Sequence, residues 1–311
     1  MDVQPELFTT GAAAPVDVAP RALATAPLAD RLPRGLHLGT SSWSFPGWAG
    51  LVYDRETDKG ALARHGLSAY ARHPLLRTVG VDRSYYEALP ERVYASWASV
   101  VPDLFRFVVK ATRSLVTPGE VGFLDASRAR DEVVGPVAAG LGEKVGAVLL
   151  QFPPTSPQAV GGPRRFAERL YRFLVAVDSP IPIAVEIRTP GWLTDDYRAA
   201  LEHGGATHGW VVHPRMATLA EQRHSLGAPP PGPTVIRWML APGHRYESAR
   251  DAWSPFDRLR APDPANREAV AALALEAVSA GGPALVVVNN KAEGSSPASI
   301  EALARLVSET V

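Results

Sequence analysis

The chain has 311 residues, with 32 Lys plus Arg against 32 Asp plus Glu, so its formal net charge is zero. That balance argues against a surface coated in basic charge for non-specific nucleic-acid binding. The absence of cysteine excludes disulfides, thiolate nucleophiles, iron–sulfur clusters and thiolate zinc sites, no apolar run approaches the roughly 20 residues of a membrane span, and no cationic start leads into an apolar core as a secretory signal would.

Residues 1–34 hold eight Ala and five Pro without apolar periodicity. Such a segment buries too little to offset its ordering entropy, so it is expected to be a flexible tail, leaving 35–311 as one folded domain. Within the tail, Gln4-Pro-Glu-Leu-Phe8 resembles the Gln-x-x-Leu-Phe peptide by which bacterial DNA-processing proteins dock on the replication sliding clamp. A clamp contact through Gln4–Phe8 is therefore a partner expectation, with nucleic acid left open.

From Leu36 onward, short apolar runs recur at a mean spacing of about 35 residues, a workable length for a strand–helix unit. They are Leu36–Ser41, Thr78–Asp82, Phe105–Lys110, Ala147–Gln151, Ile183–Arg188, Thr207–His213, Thr234–Met239 and Ala284–Asn290. Helical patterns lie between most of them, as in Arg164–Val175, Thr194–His203 and Arg267–Val278. Eight such repeats predict a closed (β/α)8 TIM barrel. The alternative, an open doubly wound sheet, typically has a glycine-rich turn after its first strand, where this chain reads Thr-Ser-Ser-Trp-Ser-Phe. The spacing Gly140, Gly142, Gly146 precedes a strand instead of following one, and reads as a loop after a helix.

Alternation along the strands assigns the faces. In the fifth, Ile183, Val185 and Ile187 suit the helix layer, which turns Glu186 and Arg188 toward the lumen near the C-terminal mouth. The same logic places Lys110, Gln151, Arg237, Asn289 and Lys291 at strand ends facing inward, with Asp82 and His213 closing the second and sixth strands. Active sites in this architecture lie at that mouth. One charged strand end commonly just solvates a rim. Five or more of eight is harder to explain that way, because a buried charge costs several kcal/mol unless paired. Lys110, Arg188, Arg237 and Lys291, with Arg83 nearby, outnumber Glu186 and Asp82, so the mouth is expected to favour a carboxylate or phosphate.

After the eighth strand, Asn289-Asn290-Lys291 leads through Gly294 and Ser295 to Ser296-Pro297, which have the chemistry of a helix N-cap and first position. This turn reads equally as a phosphate site at a helix N-terminus and as an ordinary capped start. Trp43, Phe45, Trp48, Tyr53, Tyr85 and Tyr86 crowd the loops after strands one and two. Packing is the simpler account for these aromatics, except for Trp43 and Tyr86 nearest the strand ends. No His-Glu-x-x-His motif, nucleophile elbow or P-loop occurs. No cofactor is predicted, and a divalent metal on His213, Glu186 and Asp82 is left open.

These motifs resemble the YecE-like proteins, domain of unknown function 72, from about Leu36 to the C-terminus. Gly39-Thr-Ser-Ser-Trp-Ser with Trp48 resembles the family's opening motif, and Phe107-Val-Val-Lys-Ala its third-strand lysine motif. Leu149-Leu-Gln-Phe-Pro-Pro, Val185-Glu-Ile-Arg with Trp192, Val235-Ile-Arg and Asn289-Asn resemble those of strands four, five, seven and eight. The resemblance implies a barrel of this type and leaves the biochemical activity unassigned. The chain departs from the family pattern at strand two, where Gly80 and Asp82 stand in place of a usual glutamate and asparagine. It departs again at strand seven, where Arg237-Trp-Met-Leu replaces Arg-x-His-Gly.

The functional expectation is a barrel enzyme acting on a small anionic, phosphorylated or carboxylate substrate, with the reaction open among hydrolase, lyase and isomerase. Lys110, Glu186 and Asp82 are the candidate catalytic groups. Trp43, Arg83, Tyr86, Gln151, Arg188, His213, Arg237, Asn289, Asn290, Lys291 and Ser295 are the candidate binding groups. The alternatives are a DNA-associated protein docked on the sliding clamp through Gln4–Phe8 and a non-catalytic anion-binding sensor, and a cytoplasmic location fits the cysteine-free composition.

Overall fold

The computed structural model describes residues 15–240 and 242–310. Nine parallel strands alternate with helices: β1 (Leu36–Thr40), β2 (Thr78–Val81), β3 (Arg106–Lys110), β4 (Val145–Phe152), β5 (Ile183–Ile187), β6 (Thr207–His208), β7 (Trp210–Val212), β8 (Thr234–Trp238) and β9 (Ala284–Val288). Their order in the sheet is β6-β5-β4-β3-β2-β1-β9-β8-β7. Because β6 and β7 are consecutive in the chain, the two edges of this sheet are the two halves of one extended segment. The sheet thus curls into a nearly closed barrel of the TIM type.

The sixth predicted strand is split at Gly209. Its amide still donates to Val185 O at 2.8 Å, while Trp210 has already moved into register with Ile236 of β8. A Cβ on Gly209 would stand 3.2 Å from Glu186 Cβ and 3.3 Å from Leu149 Cδ1. Glycine here leaves room for a fully buried carboxylate.

Two apolar compartments follow from the strand alternation. Ile183, Val185 and Ile187, with Phe107, Val109, Val148, Leu150, Ile236, Val286 and Val288, join the layer between sheet and helices. Val108, Ala147, Leu149, Ala184, Val235, Leu285 and Val287 form a separate cluster that fills the lumen. The helix Gly162–Val177 buries Phe166, Leu170, Phe173, Leu174 and Val177, spaced to lie on one helical face. The barrel is consequently a packed core, and an open space can exist only beyond the strand ends. Gly140 belongs to this packing too: a Cβ there would meet Tyr94 Cβ at 2.5 Å and Glu91 O at 2.6 Å, so it marks a close helix–helix approach.

The expected tail needs shortening. Residues 15–34 pack against the barrel through Val16, Val18, Ala19, Ala22, Leu28, Ala29 and Leu32, all buried. Two short helices, Pro20–Leu23 and Ala26–Ala29, form within them. Ala19 N donates to Val52 O at 2.9 Å, and Arg72 pairs with Asp17 at 2.6 Å. The small side chains that looked unable to form a core of their own suffice to cover an existing one. Gln4–Phe8 lies outside the described residues.

Candidate functional site

The parallel ladder brings the polar strand ends to one depth. Gln151 stands beside Glu186 in register, and Arg237 beside Val287. Beyond them opens a cavity of about 350 Å³. Asp82, Lys110, Gln151, Arg188, His213, Arg237 and Asn289 reach it from seven successive positions around the barrel.

Beneath this floor lies Glu186, with no exposed surface. One of its oxygens accepts from Arg188 Nε and the other from an Arg237 terminal nitrogen at 2.8 Å. Burial alone would raise its pKa. The two guanidiniums outweigh that and hold the carboxyl at about 2. Glu186 therefore fixes the two arginines and does not itself line the cavity. The Arg188–Glu186–Arg237 cluster retains one net positive charge, presented upward by two oriented guanidinium planes.

Lys110 is the other notable floor residue. Ser84 Oγ donates to Lys110 O at 2.6 Å and ties the turn after β2 to the end of β3. That tie sets the Tyr85 ring 3.9 Å from Lys110 Nζ. Burial, with Arg237 adding to it and Asp82 and Glu186 opposing, lowers the amine to about 8. His213 is brought down to about 4 by burial and by Arg188, with Glu186 opposing. Its Nδ1 accepts from the Arg215 amide at 3.2 Å.

Several expected binding residues lie elsewhere. Trp43 is buried edge-on to Trp97 at 5.3 Å, with Nε1 3.4 Å from Ala63 O, so it packs a loop. Arg83 points into solvent and pairs with Glu87 at 3.0 Å. Asn290 Oδ1 accepts from Trp48 Nε1 at 3.2 Å and from the Ser296 amide at 2.9 Å, which closes the turn after β9. Lys291 is buried over the Tyr246 ring at 3.9 Å. Ser295 is buried as well.

That turn is not an open phosphate site. Residues 258–263 run across it: the Arg260 and Ala261 amides donate to Glu293 O, and the Asp263 amide to Glu293 Oε1 at 2.7 Å. A Cβ on Gly294 would fall 2.7 Å from Arg260 N, so the close approach that this glycine permits is taken by the chain itself. The ordinary capped start is what the fold uses.

Sequence reasoning missed Tyr85, Pro153, Pro154, Arg215, Met239, Leu240 and Tyr246, which also line the cavity. Pro153 and Met239 come directly after β4 and β8, and the other five lie two or more residues past a strand end, where period-two alternation no longer assigns a direction. The Pro pair after Gln151 and the Trp-Met-Leu departure after Arg237 were the available signals. For a metal, no group of three or more His, Asp or Glu is arranged to hold one among the described residues, and both Glu186 oxygens are occupied by guanidiniums.

A family model, protein of unknown function DUF72, matches residues 37–311. The chain belongs to the DUF72 family. Among solved structures, a DUF72 family protein from Thermotoga maritima MSB8 is 18% identical over 88% of this chain and 98% of its own, with a TM-score of 0.54. A DUF72 family protein from Enterococcus faecalis V583 is 15% identical over 88% and 96%, with a TM-score of 0.53. At these identities the likeness carries the fold alone. No curated protein matches the chain. None of the helices among the described residues is long and apolar enough to cross a membrane.

Proposed function

We propose that this DUF72 protein is an enzyme for a small anionic substrate, a carboxylate or phosphate, with Arg188 and Arg237 holding the anion and Lys110 as the reactive amine. The observation that carries the reading is the sharing of one 350 Å³ cavity by Lys110, Arg188 and Arg237, where the arginines are held by a carboxylate that does not itself line it. Two guanidiniums whose rotamers are already fixed lose little freedom on meeting an anion. An amine at about 8 exchanges protons close to neutral pH, and its neutral form is a nucleophile.

With a carbonyl-bearing substrate, neutral Lys110 Nζ adds to the carbonyl carbon and a proton passes from nitrogen to oxygen. The hydroxyl so formed takes the second nitrogen-bound proton and leaves as water when the C=N bond forms. In this reading Asp82, which lines the same cavity, carries these protons. The test pairs low-salt thermal shifts with phosphate, pyruvate and sugar phosphates with borohydride trapping of the carbonyl compounds and peptide mass spectrometry. The expected result is an anion-dependent rise in Tm, weakened in Lys110→Met, with any reduced adduct on Lys110. No shift with any anion and no adduct on Lys110 would overturn the proposal.

A further inference from the structure

On three of its loops the lining of the cavity changes from polar to apolar past the strand end, while the loop after β7, with His213 and Arg215, stays polar. Asp82, Lys110, Gln151, Arg188, Arg237 and Asn289, at or next to strand termini, make a polar and mainly cationic floor. Further along the same loops the chemistry changes. Asp82 is followed by Tyr85 and Tyr86, Gln151 by Pro153 and Pro154, and Arg237 by Met239, Leu240 and then Tyr246. Three separate loops each pass from a charged or amide group to apolar or aromatic ones as they rise.

The collar is also partly in solvent. Tyr86 is 82% exposed and Tyr246 50% exposed, although large apolar faces are ordinarily covered. Met239 and Leu240 are instead buried and hold the cavity wall on the β8 side. A ligand made only of an anionic group would touch the floor and leave this collar facing water. A ligand with an aromatic body would fill both layers at once.

We infer that the substrate class is an aromatic anion, seated with its carboxylate or phosphate down on Arg188 and Arg237 and its ring up against Tyr86, Met239, Leu240 and Tyr246. The inference rests on the anion-binding reading above and adds the ring to it. Stacking on tyrosine and contact with Met and Leu are the interactions such a collar supplies. The Met239-Leu240 pair lies where the family resemblance leads one to expect His-Gly, so the apolar wall on that side is a feature of this chain.

Matched probes separate the two layers. Isothermal titration at low salt would compare phenylpyruvate with pyruvate, and phenyl phosphate with inorganic phosphate, on wild-type protein. The aryl member of each pair is expected to bind at least tenfold tighter. Tyr86→Ala and Tyr246→Ala should each shrink that aryl-to-parent ratio. Tyr86 is largely in solvent, so its variant does not put folding at risk. Equal binding within each pair would overturn the aromatic assignment while leaving the anion reading standing, as would an aryl preference that neither tyrosine variant reduces. No binding by any of the four would overturn both.

Discussion

Lys110 and Lys291 form a controlled pair within one molecule. Lys110 ends β3 and Lys291 lies three residues past β9, each holds its ammonium 3.9 Å from a tyrosine ring, and each is lowered to about 8 chiefly by burial. They differ in what lies above them. Lys110 opens onto the cavity, whereas Lys291 is 4% exposed beneath Tyr246 and Phe256 and is not among the cavity-lining residues. They differ also in electrostatics: at Lys110 the cation Arg237 is opposed by the carboxylates Asp82 and Glu186, while at Lys291 the cation Arg250 is the charge that bears on it. A depressed amine pKa thus marks desolvation, and access decides whether that desolvation serves chemistry.

The strongest way to break the pair apart is at Glu186. Glu186→Gln leaves two buried guanidiniums without their carboxylate and should cost about 3–5 kcal/mol, read by urea unfolding. The same change should lower the Lys110 pKa below its present value and leave that of Lys291 unmoved, because only Lys110 feels the Glu186 charge. Equal movement of both amines, followed by NMR, would mean that the two sites are not electrostatically separate. Acid acts on the same carboxylate. Its folded pKa lies below the ordinary 4.5, so the stability it contributes is complete above 4.5 and lost as pH falls toward 2. His37, His73 and His208, buried and held near 4 by desolvation, add an earlier loss as pH falls from 6.5 to 4, since the unfolded chain takes up their protons first.

The next effect belongs to the lysines themselves. Each has a folded pKa below its unfolded 10.5, so the unfolded chain binds more protons between about 8 and 10.5, and stability rises with pH across that window. Lys291→Met keeps the aliphatic stem and removes the buried charge. Against the lost ring contact, it should stabilise the protein at neutral pH by on the order of 1–2 kcal/mol. The gain should vanish by pH 10.5. A destabilised Lys291→Met at pH 7 would mean that the aromatic cage holds the cation favourably. Reactivity sharpens the contrast: an amine-directed acylating reagent at pH 8 should modify Lys110 several-fold faster than Lys291, as read by peptide mass spectrometry. A bound anion should slow the Lys110 reaction alone.

How far these residues could be foreseen depends on where each sits relative to a strand end. Within strands, period-two alternation decides direction, and it turned Lys110, Glu186, Arg188 and Arg237 toward the lumen. It could not say that Glu186 would lie under the arginines, because that depth depends on the stagger between β5 and β8 and on the space that Gly209 leaves. Past the strand ends the backbone bends freely, so Tyr246 and Leu240 arrived at the cavity unannounced while Asn290 and Ser295 turned away into a closed turn. The sealing of that turn by residues 258–263 joins segments about thirty residues apart, a tertiary contact that no local pattern encodes. Residues 15–34 illustrate the same limit, since their composition describes what they could bury alone and not what the barrel would offer them.

The smallest effect tests the border of the site. Arg83 and Arg188 both follow strand ends that feed the mouth, and charge counting alone would enrol both in anion binding. Yet the Arg83 side chain is 64% exposed and pairs with the equally exposed Glu87 four residues on, a contact screened by water and worth at most about 1 kcal/mol. Arg188 is instead 11% exposed, fixed on Glu186 and turned to the cavity. Arg83→Ala should therefore change stability by no more than about 0.5 kcal/mol and leave the affinity for a probe anion within twofold of wild type. Arg188→Lys, which keeps the charge but loses the planar fork, should weaken it about tenfold or more. If Arg83→Ala weakened anion binding as much as Arg188→Lys, the turn after β2 would have to fold inward over the ligand, and the cationic floor would extend to a residue that now faces solvent.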